Sequence, residues 1–88
     1  MITVEHLKIY FSYKGDGDGF VRLATSREKA IMNYKNWSLI DSFIQDILIV
    51  NRGLAAKSYS KNLEERLKLN CDSGATIQEL KNIASLLA

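Results

Sequence analysis

Leu7, Ile9, Phe11 and Tyr13 alternate with Lys8, Tyr10, Ser12 and Lys14, the two-residue period of a strand with one face turned to a core. The run is rich in aromatic and branched residues, which favour strands. A helical face can be drawn through Ile2, His6, Ile9, Tyr10 and Tyr13, yet it leaves Leu7 and Phe11 on the other side. Three glycines then alternate with two aspartates, and glycine supplies the positive backbone angles that a tight turn needs. With residues 20–24 returning as a second short strand, the pattern predicts a β-hairpin over about residues 3–24.

The period changes after Ala24. Thr25 and Glu28 have capping-box spacing and predict a helix over residues 28–35, with Ile31 and Tyr34 inward and Ala30 beside them. Asn36-Trp37-Ser38 reads as a break, after which Ser38 and Asp41 start a longer helix over residues 38–52. Its apolar side carries Leu39, Ile40, Phe43, Ile44, Ile47, Leu48, Val50 and Leu54, within about half the circumference at 100° per residue. Asp41, Ser42, Gln45, Asp46 and Arg52 take the polar side, where Ile49 is the apolar exception. Gly53 fits a left-handed cap, with Leu54 placed to fold back on the last turn.

A third helix is predicted over residues 58–70, with Tyr59, Leu63 and Leu67 inward and Glu64 paired to Lys68. Residues 71–74 read as a turn. Thr76 with Glu79 makes a second capping box, opening a last helix with Ile77, Leu80, Ile83, Ala84 and Leu87 on its apolar stripe. Residues 54–58 could continue a helix or leave one. The architecture expected is α+β: one domain over residues 1–88, an N-terminal β-hairpin packed on a bundle of three to four α-helices with the helix from Ser38 as hub.

Composition narrows the classes without naming a function. The chain has 88 residues, 47 % of them apolar and 25 % charged, an ordinary globular balance. The net charge of +2 is spread thinly, with no basic stripe of the kind that neutralises phosphates, so a nucleic-acid-associated regulator is the weaker alternative. The tail from Gly74 faintly resembles the first helix of a helix-turn-helix unit, but no recognition helix follows it. A single cysteine, Cys71, forms no intrachain disulfide and suits a reducing compartment, and the start shows no secretory leader; cytoplasmic residence is expected.

The stretch from Lys14 to Val21 resembles the EF-hand calcium loop. Asp16, Asp18, Gly19 and Val21 fall on the third, fifth, sixth and eighth positions of that pattern. Lys14 stands where the first ligand belongs, and Thr25 stands where a bidentate glutamate closes the cage. Two carboxylates are far short of the six to eight oxygens that calcium takes. Asp16 and Asp18 are therefore the only candidate metal ligands, for a weak divalent-cation response, and no other cofactor is indicated.

Catalytic chemistry has little to work with. One histidine, His6, one cysteine, Cys71, and scattered acids offer no arranged nucleophile and base, and no cluster has zinc-ligand spacing. The expected role is a non-catalytic protein-binding module, a regulator, adaptor or inhibitor of the kind by which bacteria neutralise or tune one partner. Trp37 and Ile49 are its candidate contact residues, with Asp41 and Asp46 on the exposed side of the central helix. Self-pairing into a homodimer would use the same features.

Overall fold

The computed structural model describes residues 1–88 and contains six helices: α1 (Val4–Ser12), α2 (Gly17–Leu23), α3 (Ser26–Ile31), α4 (Tyr34–Asn51), α5 (Lys57–Asn70) and α6 (Gly74–Leu87). There is no sheet; one isolated parallel bridge joins Ile2 to Cys71. The α+β expectation and its β-hairpin are therefore overturned, and the fold is all-helical.

The first helix starts from Thr3. Its hydroxyl accepts from the His6 amide at 3.4 Å while its own amide donates to His6 Nδ1 at 3.0 Å, a capping box with histidine in the place of glutamate. An amide only donates, so Nδ1 is the accepting nitrogen and Nε2 donates to the Ile31 carbonyl at 3.3 Å. His6, Leu7, Ile9, Tyr10 and Tyr13 then occupy about 160° of helix circumference, wide enough to take in Leu7. Leu7, Ile9 and Tyr10 are buried, and Phe11 is left exposed. Alternation over seven residues was a coincidence of this broad helical face with its exposed exception.

The glycine tract is also helical in its second half. Lys14 and Gly15 take left-handed angles, φ 52° and 73°, and the Gly15 amide reaches Tyr10 O while Lys14 N reaches Phe11 O, a Schellman end to α1. Asp16 then caps α2, its carboxylate accepting from the Asp18 amide at 3.1 Å. A helix enters this turn and another leaves it, but α2 starts at Gly17 and absorbs the positions that an EF-hand keeps as loop.

Thr25 and Glu28 form the expected capping box, and α3 stops at Ile31. The break lies at Met32 and Asn33, not at residues 36–38, because the Asn33 side chain accepts from the Asn36 amide at 2.8 Å and starts α4 four residues early. At the other end Gly53, φ 70°, repeats the Schellman arrangement, with the Leu54 amide bonded to Ile49 O. The Leu54 side chain stays exposed and does not fold back. Residues 54–56 are outside helix, and α5 begins at Lys57. The last helix is capped by Ser73 and not by Thr76, which is buried and donates its hydroxyl to Asp72.

Four helices make the core. α4 packs on α1, α5 and α6, and α6 also packs on α1 and α5. Phe43, Ile40, Leu7, Leu67 and Leu80 are fully buried between them. The Ile2 amide donates to Asn70 O at 2.7 Å and the Asp72 amide to Ile2 O at 3.0 Å, so the N-terminal segment is tied to the turn between α5 and α6. α2 and α3 form a short arm that crosses from the end of α1 to the start of α4.

Candidate functional site

The arm leaves a groove of about 520 Å³ where α2 meets the first turns of α4. Its apolar wall is Phe20, Val21, Tyr34 and Trp37; its polar wall includes Asp16, Asp18 and Asp41. A second, smaller hollow of about 280 Å³ lies among α4, α5 and α6, with Glu64 and Lys81 paired across it at 2.8 Å.

Trp37 is placed by the Asn33 cap, whose carbonyl receives the Trp37 amide at 3.0 Å. Its ring lies between Tyr10, centroids 4.7 Å apart, and Phe20, 4.9 Å, and Phe20 meets Tyr13 edge-on at 5.6 Å. This stack joins α1, α2 and α4. Asp41 follows Trp37 by one turn on the same face of α4, which is the i, i+4 relation. Its carboxylate accepts from the Tyr10 hydroxyl. Burial first, and then the Asp41 hydrogen bond and charge, push the Tyr10 hydroxyl well above the usual tyrosine value.

Four of the residues marked in the sequence thus converge here: Trp37, Asp41, Asp16 and Asp18. The other two do not. Ile49 is half-buried near the far end of α4, and Asp46 accepts from Arg66 at 2.9 Å and from the Tyr59 hydroxyl, tying α4 to α5. Tyr59 is raised above its ordinary value, chiefly by that hydrogen bond.

The groove is electrically one-sided. No lysine, arginine or histidine lines it, and the three ion pairs, Arg27 with Glu5, Arg66 with Asp46 and Lys81 with Glu64, leave Asp16, Asp18 and Asp41 without a cation. Nowhere do three His, Cys, Asp or Glu side chains stand close enough together to hold a metal ion. His6 has both ring nitrogens on backbone groups, and burial, with the charge of Asp72, pushes the Cys71 thiol up.

Phe20, Val21 and Tyr34 are the site residues that sequence reasoning missed. The alternating pattern puts Phe20 and Val21 on a strand, and helical spacing turns Tyr34 inward, whereas Tyr34 is 86 % exposed on the groove's rim. The available signal was the Asp16 cap: an aspartate followed by a short apolar run reads as a helix start once a strand partner is lacking. No family model, curated protein or solved structure matches the chain. No helix is long and apolar enough to cross a membrane.

Proposed function

We propose that the chain is a small, non-catalytic protein-binding module of the cytoplasm, a regulator, adaptor or inhibitor that holds a basic part of a partner protein in the groove between α2 and α4. One observation carries the reading: an aromatic wall shares the groove with three carboxylates that have no cation of their own. Apolar surface rimmed by polar groups is what docking sites present, and tryptophan and tyrosine dominate their energetics. One-signed charge at the rim selects oppositely charged partners and speeds encounter. The lone buried Cys71 is at home in a reducing compartment.

Photo-crosslinking in the native host tests this. A benzoylphenylalanine in place of Tyr34 should join one partner protein, a label at Leu54, at the opposite end of α4, should not, and Asp18→Asn with Asp41→Asn should remove the adduct. Equal capture from Leu54, an adduct that survives both asparagines, or adducts only between two copies of this chain would overturn the reading.

A further inference from the structure

We infer that the groove's occupant is an extended peptide segment carrying an arginine, with a backbone carbonyl on the Trp37 indole N–H and the guanidinium among Asp16, Asp18 and Asp41; this rests on the docking function proposed above. Trp37 is only 6 % exposed, and its single polar atom, Nε1, has no hydrogen-bond partner within the chain. Every fully buried side-chain nitrogen or oxygen does have one, so Nε1 must open onto surface, and the surface Trp37 lines is the groove. A Cβ on Gly17, itself a lining residue, would come within 3.3 Å of that nitrogen; the glycine keeps the N–H uncovered.

An indole N–H donates and cannot accept, so what meets it is an acceptor. Three carboxylates around the groove repel an anionic acceptor, which leaves a neutral one such as an amide carbonyl. The same carboxylates, Asp41 half-buried and Asp16 and Asp18 exposed, favour a cation beside them. A neutral carbonyl and a cation on one molecule describe a basic peptide. Arginine suits the site better than lysine, since its flat, weakly hydrated guanidinium stacks on a ring while forking onto carboxylate oxygens. Tyr34 offers the exposed ring. The chain already builds this pairing once: the Arg66 guanidinium lies 5.2 Å from the Phe43 ring centre and 2.9 Å from Asp46.

Selection of random heptapeptides on the immobilised chain, counter-selected on the Asp18→Asn, Asp41→Asn variant, should enrich arginine. The selected peptide is then titrated while following Trp37, the only tryptophan, by fluorescence. Citrulline in place of the arginine should weaken binding about tenfold or more, and lysine less, because the charge-assisted fork is lost in the first case and only its geometry in the second. Gly17→Ala, kept only if its unfolding transition stays cooperative, should weaken binding, since its Cβ covers Nε1 from 3.3 Å without touching a carboxylate. Enriched peptides without arginine, equal binding of the citrulline form, or no binding by about 1 mM peptide, near 4 kcal/mol, would overturn the inference. So would calcium raising the melting temperature of the wild type but not of Asp16→Asn, Asp18→Asn, which would make the acids a cation site. If the Tyr34 crosslink to a partner holds while arginine preference fails, the docking function stands and this inference alone falls.

Discussion

The four longer helices and the α2–α3 arm are built on different principles. α1, α4, α5 and α6 meet face to face and bury Phe43, Ile40, Leu7, Leu67 and Leu80 completely. Within its two helices the arm buries one side chain, Phe20, and α3 none; Met32, at the C-cap of α3, is its other buried anchor. Apart from Met32 it is held by the aromatic stack and by polar ties: the Tyr13 hydroxyl donates to Glu28 at 2.8 Å, His6 to Ile31 O, and Arg27 meets Glu5 at 3.4 Å in the open. Exposed pairs of that last kind contribute little. The groove lies on the seam, with one wall on the well-packed helix and one on the weakly held arm. Regions with few buried contacts open at lower free energy than the global fold, so the site should be the part of the molecule that adjusts to a ligand.

The sharpest way to break this contrast is from the core side. Phe43→Ala should cost about 3–5 kcal/mol and unfold the arm and the bundle together, read as one lowered transition in chemical denaturation. Phe20→Ala should cost about 2–4 kcal/mol, concentrated in the arm: hydrogen exchange should accelerate in α2 and α3 while α5 and α6 keep their protection. If α6 loses protection equally, the arm and bundle are one cooperative unit and the distinction disappears.

Smaller effects follow from the caps. Thr25→Ala removes one half of the α3 capping box and should cost about 1 kcal/mol, again visible in the arm's amides alone. Hydrogen bonds from the Thr25 amide first, and then from the Tyr13 hydroxyl, hold Glu28 below its ordinary value; the bond to Glu28 in turn raises Tyr13. A depressed carboxylate stabilises the fold above the ordinary glutamate range and ceases to do so as pH falls through its lowered pKa. A raised tyrosine contributes below pH 10 and is lost as pH rises through its higher folded value. α3 amides should therefore lose protection at both ends of the pH scale, and Glu28→Gln should flatten the acid side while keeping the cap. The smallest expected change is a gain. Lys14 holds a left-handed angle with a side chain, so Lys14→Gly should raise stability by about 0.5 kcal/mol, seen as a small rise in melting temperature.

The legible part of the fold was that whose pattern repeats over several turns. α4, α5 and α6 lie close to their expected spans because their apolar positions recur at helical spacing over several turns, eight in α4, five in α6 and three in α5, and so outvote any one exception. Local chemistry moved their starts: Asn33 and Ser73 are better caps than Ser38 and Thr76 because each lies just before the first helical turn with its side chain on the third amide beyond. Of the site, Trp37 and Asp41 could be picked out, but Trp37 falls in the expected break at residues 36–38, so that the two share one helix face was not visible until α4 proved to start at Tyr34. That Asp16 and Asp18 would join them was not, since it depends on where the arm crosses α4.

By itself the chain's order of residues determined that α4, α5 and α6 are helices, the capping box at Thr25 and the left-handed stop at Gly53, all of which depend on neighbours within a few positions. Only the tertiary structure decided the state of residues 3–24. There a strand period and a helix period fit almost equally well, and the choice fell to burial of Leu7, Ile9 and Tyr10 against α4 and α6 and to the tie between Ile2 and the turn at Cys71. A short segment carries too few periods to select its own conformation, so the surface it packs on selects for it.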